Sequence, residues 1–190
     1  MPVFSEAVSS PDKLMGVKAV FTPPDVRLLG FGARGDKSDE AKYFQLPRDY
    51  AEQSVKRPFV VAIGGGKSVS PELKGRALTV VTVNSVFGET KNFILDPTIA
   101  ARQARWPVSV GLHDIWRVNG FPHLIDDLAF EDRNILNHAF DKIVRREPEI
   151  KQLWQALREW ELELIDAPPL PHFLAPPLPT VLSENIAASL

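Results

Sequence analysis

The sequence predicts an α+β fold in which a mostly antiparallel, barrel-like sheet is followed by C-terminal helices that pack on it. The first observation is a series of apolar runs, residues 58–63, 76–86 and 107–118, separated by glycines and prolines. Runs of this length and composition are typical of buried strands. The second observation is a change of periodicity after Val118, where apolar residues recur at spacings of three and four, as in amphipathic helices.

The composition is that of a globular protein whose core needs no covalent support. The chain has 190 residues, of which 44% are hydrophobic and 24% are charged, and it has no cysteine. Disulfides, thiolate nucleophiles and cysteine zinc sites are thereby excluded. Since no apolar run approaches the roughly 20 residues of a membrane span and residues 1–6 do not resemble a signal peptide, we expect a cytoplasmic protein that meets no membrane.

One α+β domain is expected over residues 1–166, followed by a proline-rich tail over residues 167–190. No polar linker separates the predicted sheet, residues 17–118, from the predicted helices, residues 97–165. Six of the 17 prolines fall in the tail, and this density favours an extended, polyproline-like segment.

The elements that precede the central strands are short. Residues 1–16 are interpreted as an irregular lead-in. Two strands, residues 17–21 and 26–31, are predicted on either side of Pro23-Pro24, since consecutive prolines cannot lie inside a central strand. A further short strand is predicted over residues 43–46.

Three helices are predicted in the second half of the chain. Asp96 and Pro97 indicate the start of the first, because Asp is a favoured N-cap and Pro fits the first helical position. The spacing of apolar residues predicts a second helix over residues 131–146 and a third over residues 148–165.

A glycine-rich stretch, Gly64-Gly65-Gly66-Lys67-Ser68, invites interpretation as a phosphate-binding loop. The full signature requires a glycine at position 61, which is a valine, and Pro71 argues against a long helix immediately afterwards. Without a helix N-terminus, the loop lacks the amide donors and the dipole that hold a phosphate. The stretch is therefore interpreted as a connection between strands whose lysine could still touch a phosphate backbone.

Aromatic and cationic side chains around the central strands suggest a ligand pocket. The net charge of −2 argues against a generally basic nucleic-acid coat, but between residues 56 and 91 six cations face two acids. Aromatic rings beside such cations could stack on a base while the cations hold its phosphates. The alternative is that the rings fill the seam between sheet and helices. The residues predicted to form the nucleic-acid site are Arg34, Lys67, Phe87, Arg102, Arg105, Trp106 and Phe121.

The order of elements in residues 57–118 resembles the PUA-like superfamily, which includes the EVE, YTH and ASCH domains. The segments that carry this resemblance are Arg57-Pro-Phe-Val-Val-Ala-Ile63, Lys74-Gly-Arg-Ala-Leu-Thr-Val-Val-Thr-Val83 and Trp106-Pro-Val-Ser-Val-Gly-Leu112. The resemblance covers about a third of the chain. It implies a small curved sheet or barrel with helices around it. It also implies recognition of RNA or modified DNA through a pocket that holds a flipped base.

Three functional hypotheses follow. The first is a nucleic-acid-binding module, including a reader of a modified base, to which no catalytic residue, metal or cofactor is assigned. The second is a protein-interaction or regulatory module that docks on a partner or a second copy through the helix over residues 149–165 and the proline-rich tail. The third is a metal-dependent hydrolase that uses His113, His123, Asp126 and Asp127, since oxygen and imidazole ligands suit a hydrolytic metal.

Overall fold

Six strands form one curled, half-barrel sheet in the computed structural model. The structure describes residues 1–32, 40–67, 69–103, 105–128, 139 and 142–170, with only the backbone for residues 40–44. The strands are β1 (Leu14–Val20), β2 (Leu28–Phe31), β3 (Phe59–Gly64), β4 (Ala77–Glu89), β5 (Val108–Val118) and β6 (Leu162–Leu164). The α-helices in these ranges are α1 (Phe4–Ala7), α2 (Glu40–Gln53), α3 (Pro97–Gln103) and α4 (Glu147–Leu157). The predicted α+β class is confirmed.

The sheet is mixed, which corrects the expected strand arrangement in one respect. The order across the sheet is β1-β3-β4-β5-β2, with β6 beside β5. Four of the five strand pairs are antiparallel, and β1 pairs with β3 in parallel. Parallel strands need a long crossover connection. Here that connection is residues 21–58, which contain both β2 and α2.

Irregular pairing between β4 and β5 accompanies the curl of the sheet. The register shifts between Val81 and Val83 and again between Val83 and Phe87. Extra residues of this kind bend a strand and increase its local twist. The two edge strands thereby approach each other, and the Nζ atom of Lys18 on β1 lies 5.5 Å from the ring centroid of Phe31 on β2.

The core consists of two apolar clusters, one on each face of the sheet. Alternation along β3 illustrates the division, since Val61 belongs to the first cluster and Val60 to the second. The first cluster includes Phe4 of α1 and the buried face of α4. The second includes Phe31 and Tyr50, whose rings are 5.1 Å apart between centroids. Each fully buried large apolar side chain contributes about 1.5–3 kcal/mol.

The helices confirm one prediction and correct others. The Asp96 cap is confirmed, because its carboxylate accepts hydrogen bonds from the N–H groups of Thr98 at 2.8 Å and Ile99 at 3.2 Å. The strand predicted over residues 43–46 is wrong, since this segment belongs to α2. The helix predicted over residues 148–165 ends at Leu157, after which the chain returns to the sheet as β6.

The helix predicted over residues 131–146 falls largely outside the described residues. Its last part, residues 142–146, is not helical. Val144 instead exchanges two backbone hydrogen bonds of 2.9 Å with Val17, alongside β1. The two apolar residues there, Ile143 and Val144, are buried in different core clusters and do not form a helical face.

The N-terminal segment is ordered, so the interpretation of residues 1–16 as an irregular lead-in is wrong. Phe4 has no exposed surface, and its N–H donates to the carbonyl of Trp160 at 2.8 Å. The N–H of Leu162 donates in turn to the carbonyl of Pro2 at 2.8 Å. This segment is held by one large buried side chain, Phe4. It has no periodic apolar pattern from which its order could have been predicted.

The C-terminal part of the described chain runs along β5 toward the start of that strand. Leu164 pairs with Trp116, and the N–H of Ile165 donates to the carbonyl of Ile115. The Nε–H of Arg27 donates to the carbonyl of Ala167 at 2.8 Å. The proline-rich tail beyond residue 170 lies outside the described residues.

None of the helices in the described ranges has the length and apolarity needed to cross a bilayer.

Tyr50 gives the fold a testable pH dependence. Burial raises the pKa of Tyr50 from 10.0 to about 12, with a smaller rise from Asp49, against the opposing hydrogen bond from the N–H of Ile143 at 2.9 Å. The native state therefore keeps the phenol proton at pH values where the unfolded chain has released it. The stabilisation is complete below pH 10 and is lost as the pH rises toward 12.

We predict that the free energy of unfolding of the wild type falls relative to that of Tyr50→Phe by about 1.4 kcal/mol per pH unit in this window. Urea unfolding of both proteins at pH values from about 9 to about 11.5 measures this difference in the free energy of unfolding. Parallel pH profiles of the two proteins would contradict the assignment.

Candidate ligand site between the sheet edges

A cavity of about 410 Å³ lies where the edge strands β1 and β2 approach each other. Residues 18–20 and 28–30 supply its two strand walls, and the connection over residues 21–26 joins them. Gly66 and Lys67 approach from the loop after β3, and Trp106 approaches from the segment before β5. The volume falls within the range of small-molecule sites.

Two aromatic rings, those of Phe21 and Trp106, line this cavity, and a guanidinium group is stacked on them. The rings of Phe21 and Trp106 are 5.8 Å apart between centroids and inclined by 36°. The Cζ atom of Arg105 lies 4.4 Å from the Trp106 ring and 4.9 Å from the Phe21 ring. A cation at these distances is attracted to the ring faces. The arrangement places a planar apolar surface next to a positive charge.

Hydrogen bonds fix the backbone that carries Trp106. Its N–H donates to the carbonyl of Gln103 at 2.9 Å, and its carbonyl accepts a hydrogen bond from the Thr90 hydroxyl. The Thr90 hydroxyl oxygen also lies 2.6 Å from the hydroxyl oxygen of Ser109, in a buried pair. Since Thr90 follows β4 and Ser109 lies on β5, these bonds hold the backbone of Trp106 beside the sheet.

Lys18 places a buried cation in the cavity wall. Its side chain is only 2% exposed, and its ammonium group donates to the carbonyl of Ala19 at 3.2 Å. Its Nζ atom lies 5.5 Å from the centroid of the Phe31 ring. Withdrawing a charge from water costs several kcal/mol unless other groups compensate. The Ala19 carbonyl and the Phe31 ring provide part of this compensation.

Sequence reasoning missed Lys18 and Phe21, which both line the cavity. Lys18 is surrounded by Val17, Ala19 and Val20, so that it looks like a solvent-facing residue of an alternating strand. Its neighbours Val17 and Ala19 are buried on the other face of β1, so their apolarity gave no signal that Lys18 is buried too. Phe21 carried no signal, because its partner Trp106 lies 85 positions further along the chain.

The glycine-rich stretch forms a connection between strands, as interpreted from the sequence. Gly66 has φ +98°, which favours glycine, and places the exposed Lys67 at the cavity. No α-helix follows the stretch before β4 in the described residues, and the next element is a 3-10 turn over Pro71–Leu73. The N–H of Gly65 donates to the carbonyl of Val20 at 3.0 Å, which fastens the loop to the end of β1.

The other predicted cations have different positions. Arg105 is stacked on the rings of Phe21 and Trp106 and is not among the residues that line the cavity. Arg102 is paired with Asp25, with N–O distances of 3.0 and 2.9 Å, so that its charge is largely neutralised at the edge of the cavity. Arg34 lies outside the described residues.

The three predicted rings do not share the cavity. Trp106 lines it, whereas Phe87 packs against the second core cluster. Phe121 follows the opposite end of β5, roughly 35 Å from Trp106 measured along the strand. There its carbonyl accepts a hydrogen bond from Arg76 at 2.8 Å. Because β5 lies between Trp106 and Phe121, the two rings are far apart and cannot line one cavity.

Three residues of the hydrolase hypothesis, His123, Asp126 and Asp127, stabilise a turn by bonding to one another. The N–H of His123 donates to the carboxylate of Asp127 at 2.6 Å, and its Nδ1 lies 3.2 Å from the carboxylate of Asp126. His113 is exposed on β5. Within the part of the chain that the structure describes, no group of three or more such side chains is placed to hold a metal ion.

The helix of the interaction hypothesis uses its apolar face inside the domain. Ile150, Leu153 and Leu157 of α4 have no exposed surface. The indole N–H of Trp154 donates to the carbonyl of Val8 at 2.8 Å. This face is therefore already covered by the N-terminal segment and the sheet.

Comparison of the chain with known proteins found no match, whether with models of protein families, with curated proteins or with solved structures. Function therefore has to be inferred from the chemistry of the cavity.

Gly30 allows a test of the position of Trp106. An ideal Cβ atom at Gly30 would lie 2.6 Å from the Cβ of Trp106, so we predict that Gly30→Ala displaces the indole and destabilises the protein by about 1–3 kcal/mol. Gly32→Ala is the matched control, because its nearest neighbours would be 4.0 Å away.

Fluorine NMR of protein labelled with fluorotryptophan, with the Trp106 signal assigned by Trp106→Phe, measures the displacement. We expect the signal to move in Gly30→Ala and to stay in place in Gly32→Ala. An unmoved signal in both variants would show that the indole does not pack on β2.

Proposed function

We propose that the protein is a nucleic-acid-binding module that holds one base, ordinary or modified, in the cavity between β1 and β2. The observation that carries this proposal is the wall formed by Phe21 and Trp106 with Arg105 stacked on both rings. A planar π-system with a guanidinium beside it suits a nucleobase and its phosphate.

Stacking supplies the main affinity in this proposal. Base–aromatic stacking contributes about 1–3 kcal/mol per base. Trp106 is half-buried and packs closely on Gly30, so little ordering of the indole is needed when a base arrives. Fixed aromatic groups bind with a smaller entropic cost than flexible ones.

The cations around the cavity supply a small number of phosphate contacts. Lys67 and Arg105 are exposed beside the aromatic wall, whereas Arg102 is engaged with Asp25. With a net charge of −2, the whole surface does not attract a polyanion. The proposal therefore predicts binding that depends modestly on salt and involves only one or two phosphates.

A base inside a cavity has to leave its stack. Extruding a base from a duplex costs a few kcal/mol, and a single strand avoids this cost. Single strands are therefore the preferred ligands in this proposal.

The resemblance to the PUA-like superfamily agrees with this proposal. The curled half-barrel sheet is compatible with the barrel-like sheet that the resemblance implies. We include the relationship in the proposal, and with it the expectation that the bound base is flipped out of its strand.

We predict that Trp106→Ala weakens the binding of labelled single strands by about tenfold to a hundredfold, because a stacked base is lost. Phe121→Ala is the control, since that ring lies outside the cavity and its loss leaves binding unchanged. Fluorescence anisotropy with plain and base-modified DNA and RNA strands measures the affinities.

Lys67→Ala tests the phosphate contact separately. We expect the slope of log affinity against log salt to flatten by about 0.7, the value for one phosphate contact on a single strand. Absence of binding to every strand at low salt would refute the proposed function. If Trp106→Ala and Phe121→Ala lost binding affinity equally, the cavity would not be the binding site.

A further inference from the structure

The last described residues of the chain advance along β5 toward Trp106. Leu164 lies opposite Trp116, near the end of β5. The half-buried Leu170 lies against Gly111, which is nearer to the start of that strand. The proline-rich tail therefore begins on the part of the sheet that borders the cavity.

Leu170 and Trp106 cover neighbouring positions on one face of the sheet. An ideal Cβ atom at Gly111 would lie 3.0 Å from Cδ1 of Leu170. At Gly30 such an atom would lie 2.6 Å from the Cβ of Trp106. Leu28 pairs with Gly111 and is an alternate residue to Gly30 on β2, so the two glycines share a face.

The distance from Leu170 to the cavity is short enough for the next residues to cross it. Diagonal neighbours on one face of a sheet lie about 7–8 Å apart. An extended chain covers about 3.3–3.6 Å per residue. Roughly two or three residues beyond Leu170 thus reach the indole, and the segment over residues 171–177 is long enough to enter the cavity that Trp106 lines.

The chemistry of this segment suits the lining of the cavity. Its sequence is Pro-His-Phe-Leu-Ala-Pro-Pro, without an acid, a lysine or an arginine. The cavity presents the rings of Phe21 and Trp106 together with Pro23 and Pro24. Aromatic-lined grooves bind proline-rich segments, because such segments are already extended and lose little entropy when they bind.

We propose that residues 171–177 bind along the rings of Phe21 and Trp106 and occupy the cavity as an internal ligand. The short tether from Leu170 gives the segment an effective concentration on the order of millimolar, so that weak contacts suffice. A base that enters the cavity then has to displace the segment. This competition rests on the proposed function, whereas the binding of the segment does not.

Two variants of the full chain test where the segment binds. The first combines Phe173→Ser, Pro176→Ser and Pro177→Ser, which removes the apolar rings of the segment. The matched control combines Val181→Ser, Leu182→Ser and Ile186→Ser, which removes as many apolar side chains further along the tail.

Fluorine NMR of the proteins labelled with fluorotryptophan reports on the indole of Trp106. We expect its signal to move in the first variant and to stay in place in the control, while the signals of Trp116, Trp154 and Trp160 stay in place in both. A synthetic peptide of residues 171–177, added to the first variant, should return the Trp106 signal toward its wild-type position. The same peptide with the three serines should not.

The affinity for labelled single strands tests the competition. If the segment occupies the cavity about nine-tenths of the time, the first variant binds about tenfold more tightly than the wild type. The control variant keeps the wild-type affinity.

The outcomes separate this inference from the proposed function. A Trp106 signal that stays in place in the first variant, or moves equally in the control, would overturn the inference and leave the proposed function standing. A difference that disappears on dilution would overturn it in favour of binding between two copies of the chain. A moved signal without a gain in strand affinity would overturn the competition. If no protein binds any strand at low salt, the proposed function fails, and the Trp106 signals still decide where the segment binds.

Discussion

The contact between Lys18 and Phe31 joins the two edges of the sheet. These residues lie on β1 and β2, which are separated by three strands in the order of the sheet. The curl that brings them together also opens the cavity between them and gives the ammonium group a ring face in place of water. If the sheet were flat, the cavity would not exist and Lys18 would be solvated. Fold and candidate site are therefore consequences of one curvature.

Local patterns in the sequence predicted the strands well, because burial on both faces leaves long apolar runs. The strands β3, β4 and β5 begin and end within a few residues of the predicted bounds. The parallel pairing of β1 with β3 was not predictable, since it depends on where residues 21–58 return to the sheet. The segment over residues 43–46 was predicted as a strand from its own residues, whereas it lies in α2, whose described part packs on β4 and β5.

The candidate site was predictable only in part, because some of its residues meet partners that are distant in sequence. Trp106 and Lys67 could be found because each lies beside a glycine or proline where a strand begins or ends. Phe21 and Lys18 could not, since their importance comes from residues that are distant in sequence. Phe121 was included because it is near the end of the same strand as Trp106, and strand length separates the two. Proximity along a strand is a poor guide to which side chains meet in a cavity.

The hydrogen bonds between residues 2–5 and residues 158–162 affect how the molecule can form. Residues 2–5 obtain these partners only after residues 158–162 have been synthesised. Until then Phe4 has no pocket, and the first core cluster lacks α4. Contacts between such distant segments slow folding, and the partly formed sheet exposes apolar surface meanwhile. The interval between the synthesis of residues 2–5 and that of residues 158–162 is therefore a period in which this apolar surface is open to aggregation.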